Sequence, residues 1–539
     1  MWGLPASDGW DNDGVAPRDF LYGLVESFTA GHSFTYPPAH LALLALVTLP
    51  ITVVLLVKAP SLARADLVRE AIQVPYMTSY ALVARVVTLV MSLVIVYLIG
   101  KTAEALAGKR AGLVAAAICA VNCAFAYYSC TSNLDVPYLF WGVFALRALV
   151  HAMLHDEPRK LRVCALWAAL AVATKDQAYG LFVLGIPLAV GLWLASDRRP
   201  RLQWRTLTKE LLISAVIAVV VVLVVDGAVT NPTGFRQRLS FLAGPASQPY
   251  AHYSADARGR FLACLDSLLH FDTFYPAAFA VFAVLGLVRA ARFSAARRAA
   301  ALAPLALLGS FTLLFDAVAR RDEPRFFLPQ MVLWAIYAGL GVDGLWALRH
   351  EGVRLAVRAF VFGAFAVALY RMIGVHAVML FDPRYEAERW LATHVSPGDD
   401  VEIHGNNVYL MRMPRAARVV RVGTDPLDKR SPLPGVEERE DAYSRVQTRA
   451  PKWIVFSEAF ASHYLWPVAP QTGIRGRVVP EMQVRSSADQ DATSFFRALV
   501  EGRSGYRMVH EFTWKSDLFP RVDYHGTLGC TYRIYERVE

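Results

Sequence analysis

The sequence predicts an α-helical polytopic membrane protein of about 10 to 11 spans with a C-terminal soluble α/β domain. Three observations predict it. Hydrophobic residues make up 55% of the 539 positions and charged residues only 19%, a balance that does not suit a soluble assembly of this length. Apolar runs of roughly 17 to 25 residues recur, each long enough to cross about 30 Å of hydrocarbon. After residue 380 those runs stop, and shorter segments punctuated by turn residues take over.

Taken in order, the spans read as 82–100, 112–129, 137–154, 161–174, 178–195, 210–228, 274–288, 299–317, 327–348 and 356–380. Alternate links between them hold Lys101, Lys109 and Arg110; Arg159, Lys160 and Arg162; Arg198, Arg199, Arg201, Arg205 and Lys209; Arg289, Arg292, Arg297 and Arg298; and Arg349, Arg354 and Arg358. The opposing short links hold only Lys175, Arg320, Arg321 and Arg325. The positive-inside rule puts the first set in the cytoplasm. The net charge of +10 therefore reports topology, not a nucleic-acid partner. The six cysteines show no CxxC spacing and predict neither a disulfide framework nor a zinc site. Asp8, Asp11, Asp13 and Asp19 against one Arg18 rule out a basic, cleavable signal peptide at the start.

This parity places outside the stretch before the first counted span, TSNLDVP, TKDQAYG, the link 229–273 and everything from 381 onward. The run from Ala39 to Val57 is apolar enough to span, yet an outward-to-inward crossing would invert every later loop against the charge bias. It either lies along or re-enters the outer face, or crosses outward and leaves residues 1–38 in the cytoplasm. Pro37, Pro38 and Pro50 are compatible with each. The expected organisation is a first extracytoplasmic loop with an interfacial or re-entrant helix at 1–81, a transmembrane domain at 82–380 and an extracytoplasmic domain at 381–539. In that last part DPRYEAERWLATHVSPGDDVEIHGN reads as a helix, a Pro-Gly turn and a strand. PKWIVFSE, SGYRMVHEFTW and GCTYRIYERV read as further strands, with no GxGxxG, P-loop or GxSxG motif.

The chemistry is expected at the outer mouths. Asp11 and Asp13 lie in a Gly-rich, aromatic-flanked loop before YPPAHLALLAL; a carboxylate shielded from water can act as general base, and two together can hold a divalent metal or position an acceptor. A solvated acidic turn is the plainer alternative. Asn133 and Asp135 in TSNLDVPYLFW fit a helix cap before Pro137, with Tyr138 and Trp141 in an aromatic belt, but a cap can also bind substrate. Lys175, Asp176 and Gln177 sit where charge is expensive, so either Lys175 and Asp176 pair internally or the ammonium meets a phosphate. In ARRDEPRFFLPQ, Arg325 beside Phe326 is a better phosphate ligand than Arg320 or Arg321, which can snorkel to headgroups. Arg85 is a similar, weaker case. Tyr250, His252 and Tyr253 add polar groups in the long outer link.

An acidic loop before YPP, followed by NLDVP, TKDQ and RFFLP at successive outer mouths, resembles the integral-membrane glycosyltransferases of the GT-C superfamily. The likeness is to protein O-mannosyltransferases and aminoarabinose (lipid A) transferases over residues 8–380, the tail being similar to the extracytoplasmic domain of many bacterial members. The resemblance implies a mannosyltransferase-like enzyme of the bacterial-type cytoplasmic membrane. It would move a sugar from a polyprenyl-phosphate donor to a hydroxyl acceptor (protein, lipid or glycan) on the outer face, with inversion. It maps the acidic pair onto Asp13, with Asp11 or Asn12 beside it, as catalytic base or acceptor positioner. Asp135 matches the second outer acidic motif, and Lys175 and Arg325 match carrier-phosphate contacts. No cofactor is required by the pattern, a divalent metal being the one the acids could hold. The dyad departs from the usual Asp-Glu, reading DND before Gly14. Members also begin with one span before this loop, so either an upstream start or an unusual insertion of the N-terminus is expected. The competing readings are a transporter or flippase of a lipid-linked sugar, for which Asp226, Asp316 and Asp343 would be pathway charges, and a non-catalytic relative.

Overall fold

A computed structural model describes residues 2–5, 9–11, 14–15, 17–196, 204–243, 251–348, 350–465, 487–519, 524 and 527–538. Asn12, Asp13 and Tyr250, and the link residues Arg198, Arg199, Arg201 and Arg349, lie outside the described residues. The chain is a bundle of apolar helices followed by one small sheet domain.

After α1 (Pro17–Phe28), the ambiguous apolar run forms two helices, α2 (Ala39–Val47) and α3 (Leu49–Lys58), bent by 65°. Pro50, which lacks an N–H, lies in the first turn of α3, and Thr48 at the joint spends its hydroxyl on the Leu44 carbonyl at 2.7 Å. At about 1.5 Å per residue neither half alone crosses a bilayer. Backbone N–H of Ala39 bonds the Ala173 carbonyl, and Thr52 meets the Tyr80 hydroxyl at 3.0 Å, so both halves stay near the end of the bundle that carries Arg85 and Lys175.

Helix α4 (Arg64–Ala71) leads into α5 (Val74–Ala107). The second expected span is broken into α6 (Lys109–Ala120) and α7 (Cys123–Ser129), bent by 69° at Asn122, whose side chain caps α7 by accepting from the Phe125 N–H at 2.9 Å. There follow α8 (Asp135–His155), α9 (Lys160–Val172), the pair α10 (Tyr179–Phe182) and α11 (Gly185–Leu194), α12 (Trp204–Val225), α13 (Pro232–Ala243) and α14 (Ala257–Leu269). The bundle closes with α15 (Ala278–Ala291), α16 (Ala295–Phe311), α17 (Ala317–Ala319), α18 (Pro324–Trp346) and α19 (Glu351–Leu380). Among the described residues seven helices are long and apolar enough to cross a membrane, or up to nine if each bent pair counts as one. The expected total of about 10 to 11 is reached only by adding α9 and α15, which at 13 and 14 residues are shorter than a full crossing.

Close helix approach fixes the centre of the bundle. A Cβ on Gly286 of α15 would lie 1.7 Å from the Tyr337 carbonyl oxygen of α18, and one on Gly341 would lie 2.0 Å from the Phe282 oxygen, so glycine is required on both sides of this crossing. At one end of the bundle Arg289 and Arg110 converge on Asp343, and Arg162 pairs with Glu210. These belong to the basic links, and the expected site residues gather at the other end.

The C-terminal domain starts with α20 (Pro383–His394) and builds a six-stranded sheet in the order β3-β2-β1-β4-β6-β5. The strands are β1 (Asp400–His404), β2 (Arg418–Gly423), β3 (Val436–Glu440), β4 (Trp453–Ser457), β5 (Tyr506–Phe512) and β6 (Tyr532–Arg537). The first four run parallel, with Val401 level with Val419 on one side and Trp453 on the other; β6 and β5 are antiparallel. β4 is apolar, and β1 and β4 are buried along nearly their whole length, as central parallel strands covered on both faces must be, with Glu402 of β1 paired to Arg449. Ala387 and Leu391 of α20 cover one face with Val401 and Ile403. Helices α22 (Glu458–Leu465) and α23 (Ser487–Val500) cover the other through Ala461, Phe495 and Phe496, the short α21 (Val446–Arg449) preceding β4.

The N-terminal loop is clamped between the two parts. Trp2 Nε1 donates to Asp382 Oδ2 at 3.0 Å, the Gly3 N–H to the Tyr385 hydroxyl at 3.1 Å, and the Thr527 hydroxyl to the Trp10 carbonyl at 3.0 Å. The fully buried Arg384 stacks 3.9 Å above the Trp10 ring, and Tyr524 packs on Tyr127 and Tyr128 at the end of α7. The domain therefore sits on the end of the bundle that carries Arg85 and Lys175.

Candidate active site

The site is assembled from the clamped loop, the α7–α8 turn, the α9–α10 turn and the start of α18. Asp11 is buried, and the Tyr127 hydroxyl donates to its Oδ2 at 2.8 Å. Gly14 forms an isolated antiparallel bridge with Asn133, and the Val15 N–H bonds the Ser132 carbonyl at 3.1 Å, so the acidic loop is stitched to the turn that precedes α8.

Asp135 opens α8 and is 0% exposed. The Asn133 side chain accepts from the Asp135 N–H at 3.1 Å, a local turn in place of a true cap, the N-cap position being Leu134. The Asp135 carboxylate is held from the next turn: Lys175 Nζ donates to Oδ1 at 2.6 Å and Gln177 Nε2 at 3.3 Å, and the same Gln177 amide donates to the Tyr138 hydroxyl at 2.8 Å. The internal Lys175–Asp176 pair that the sequence allows does not form. Lys175 reaches back to α8, and Asp176 bonds Arg238 of α13, which also lies 3.8 Å from Asp226.

Lys175 lies 5.8 Å from the centre of the Phe326 ring, with Arg325 at 4.7 Å and Arg321 at 4.5 Å. Three cations thus lie near one aromatic ring at the start of α18. Arg320, in the left-handed conformation at φ 52°, turns the chain out of α17 toward these residues, and its carbonyl accepts the N–H groups of His252 and Tyr253. His252 Nδ1 bonds Asp322, which holds the imidazole pKa above its ordinary value. Glu323 pairs with Arg321. His252, Asp322 and Glu323 form the one group among the described residues whose ligand atoms, all within 4.8 Å of one another, could hold a metal ion. Tyr253 is buried and donates to Asp266 at 2.9 Å, away from the Asp135 cluster.

Arg85 of α5 completes the pocket wall. It is 4% exposed, Nη1 donates to the Trp2 carbonyl at 2.6 Å, and Nε has no hydrogen-bond partner among the described residues. Asp11, Arg85 and Ser132 line a cleft of about 340 Å³ whose far wall is the C-terminal domain.

The structure thus gathers Asp11, Asn133, Asp135, Lys175, Gln177, Arg325 and Arg85 at one end of the bundle. Asp176 and Tyr253 turn to structural partners, and His252 joins the neighbouring acidic turn. Sequence reading missed Tyr127, the contact of Asp11, and Arg238, the contact of Asp176. AYYSC carried only the signal of aromatics ending an apolar run, and Arg238 lay in a link without a motif. Chemically, the ensemble offers a shielded carboxylate beside a row of cations, suited to removing a proton from one group while stabilising negative charge on another.

Residues 77–225 match the family model described as dolichyl-phosphate-mannose-protein mannosyltransferase. The matched stretch runs from α5 to the end of α12 and so contains Arg85, Tyr127, Asp135 and Lys175, and the resemblance to GT-C membrane glycosyltransferases stands on it. No curated protein matches the chain. Among solved structures, the chain is similar to ArnT from Cupriavidus metallidurans bound to undecaprenyl phosphate, at 13% identity over 87% of this chain and 92% of that one, TM-score 0.46. It is also similar to the oligosaccharyltransferase AglB from Archaeoglobus fulgidus in complex with an inhibitory peptide and a dolichol-phosphate, at 12% identity over 98% and 85%, TM-score 0.47. A third is the arabinofuranosyltransferase AftD from Mycobacteria, at 13% over 98% and 40%, TM-score 0.27.

Proposed function

We propose that the protein is a membrane glycosyltransferase that moves a sugar from a polyprenyl-phosphate carrier to a hydroxyl acceptor, with inversion at the anomeric carbon. The observation that carries this reading is the pairing of a shielded carboxylate, Asp11 on Tyr127, with the cationic cluster of Lys175 and Arg325 beside Asp135, much of it inside the segment that matches the mannosyltransferase family. The cluster is at the end of the bundle opposite the basic links, which supports an extracytoplasmic site.

In this reading a carboxylate of the acidic loop takes the acceptor's proton as its oxygen attacks the anomeric carbon. Asp13 is the choice of the family pattern; Asp11, the member of the pair among the described residues, is buried and bonded by Tyr127. The bond from that carbon to the carrier phosphate breaks on the opposite face, and the departing phosphate keeps the electron pair. A phosphate leaving group needs charge stabilisation more than protonation. Lys175 has three donors and spends one on Asp135, leaving two for phosphate oxygens, and Arg325 supplies a second cation. Asp135 and Gln177 hold the Lys175 head in place.

The test is direct. Purified protein in nanodiscs is given radiolabelled polyprenyl-phosphate sugars, with and without EDTA, and label is followed from carrier to acceptor or water. Release that falls by about 100-fold or more in Asp11→Asn or Asp13→Asn, and likewise in Lys175→Gln, is expected. The chelator arm decides whether a divalent metal takes part. Tight donor binding without release, with label crossing a sealed vesicle membrane, would replace the transferase by a transporter.

A further inference from the structure

The cleft beside Asp11 lies at a defined place in the C-terminal domain. Order β3-β2-β1-β4 sends the chain outward from β1 through β2 to β3 and then back to β4 on the other side of β1, so the strand order reverses between β1 and β4. In open parallel sheets a ligand crevice forms outside the carboxyl ends of the strands at such a reversal. The cleft occupies that position: Gly405 and Asn406 follow β1, Gly423 ends β2 and Asp425 follows it, and Phe460 follows β4. Gly405, at φ 114°, turns the backbone where a Cβ would come 3.1 Å from the Phe460 ring, which keeps this mouth open.

Two of the four cations in the wall are spent. Arg421 is held by Glu438, Asn407 and the Ser431 carbonyl, and Arg430 by the Gly423, Asp425 and Arg439 carbonyls. Two are not. Arg85, on the membrane side, lines the cleft, has no carboxylate within ion-pair distance among the described residues and keeps a buried Nε without a hydrogen-bond partner among them. Lys429, on the domain side, is exposed and its ammonium has no hydrogen-bond or ion-pair partner among the described residues. A buried guanidinium without a counter-ion is costly unless an anion reaches it.

We infer that this crevice seats the acceptor of the proposed transfer, and that the acceptor is a hydroxylated molecule bearing an anionic group, a carboxylate or a phosphate, held between Arg85 and Lys429 with its hydroxyl at Asp11. The inference rests on the transferase reading for the word acceptor, while the anion-binding crevice rests on the cleft alone.

The test uses the full chain in zwitterionic nanodiscs and three saccharide probes: methyl glucoside, glucuronate and glucose 6-phosphate, with saturation-transfer NMR as readout. The charged probes are expected to bind about tenfold tighter than methyl glucoside, with the preference fading when salt is raised to about 0.5 M. The tighter of the two identifies phosphate or carboxylate. Lys429→Glu should abolish the preference, and Asn406→Trp, an exposed position whose bulk fills the crevice, should weaken all charged-probe binding; both side chains are exposed and, among the described residues, only the backbone at these positions makes hydrogen bonds, with the Pro426 carbonyl and the Tyr409 N–H, and unchanged thermal melting verifies that the fold is kept. Equal binding of the three probes, or an intact preference in both variants, overturns the inference. Donor release without probe preference would retain the transferase and discard the crevice, whereas probe preference without donor release would retain the crevice and discard the transferase.

Discussion

Removing Lys175 tests whether the Asp135–Lys175 pair is a unit. The two ends are 2.6 Å apart, Asp135 at 0% exposure and Lys175 with its side chain 15% exposed. At that separation and an effective dielectric of about 20 the attraction is about 6 kcal/mol, most of which offsets the desolvation of two ions. The intact pair therefore contributes little net stability, but Lys175→Met strands a fully buried carboxylate and should cost about 3 to 5 kcal/mol. Asp135→Asn should cost less, because the amide oxygen still accepts from Gln177 and the long lysine stem can carry its charge toward water. The double variant leaves no stranded charge and should recover at least about 2 kcal/mol relative to the sum of the singles. SDS titration of each purified variant, followed by tryptophan fluorescence, measures this, and donor release is read alongside. The double variant should be folded and inactive. A Lys175→Met cost under about 1 kcal/mol, or strictly additive singles, would refute the buried-pair argument; wild-type release from the double variant would remove the pair from the site.

Three further outcomes are expected. Tyr127→Phe deletes a hydrogen bond to a carboxylate, worth about 1.5 to 3 kcal/mol, and should cut donor release by at least about tenfold with unchanged folding; full activity would detach Tyr127 from Asp11. Glu402 in β1 is buried, which alone would raise its pKa, but Arg449 at 2.7 and 2.8 Å and His404 hold it down at about 2. A depressed folded pKa gives stability that is present above the ordinary value of 4.5 and lost as pH falls toward 2, so fluorescence of Trp453 on the adjoining strand should report loosening in that window, and Glu402→Gln should flatten it. Gly286→Ala drives a methyl into the Tyr337 carbonyl and should destabilise the bundle by at least about 1 to 3 kcal/mol in the SDS titration; a neutral result would mean that α15 and α18 do not cross this closely.

The helices were legible because membrane physics writes them in one dimension: a run of apolar residues and a biased set of link charges are visible without any contact. All ten expected spans fall on helices. The breaks were less visible. Asn122 interrupts α6 and α7 through a single cap hydrogen bond, and Thr48 with Pro50 bends the α2–α3 pair, features that a hydropathy pattern averages away. Strands β4, β5 and β6 were marked by apolar and aromatic runs and β1 by the Pro-Gly turn before it, whereas β2 in RAARVVRVG and β3 in VEERE carry so many charges that only their pairing in the sheet reveals them. Among the expected site residues, Asn133, Asp135, Lys175 and Gln177, each in a recognisable motif, come together in the structure. Their partners were not legible: that Lys175 chooses Asp135 over the adjacent Asp176 follows from the α9–α10 turn facing α8, a tertiary fact with no local signature.

The fate of the remaining buried acids separates enzyme from conduit. A transport pathway needs charges along the span that exchange partners as cargo moves. Asp343 is fixed by Arg289 and Arg110 at the basic end, Asp316 accepts from Gln330 within the turns that lead to Arg320, and Asp226 faces Arg238 past the end of α12. Each is tied to a neighbour near a helix end, and they do not form a continuous file. Asp11 and the Lys175 cluster instead converge at one mouth under a second domain, with a cleft of about 340 Å³ beside Asp11 whose two walls come from different parts of the chain. A carboxylate and a cation cluster fixed at one mouth can act on two molecules brought side by side, which group transfer requires and translocation does not.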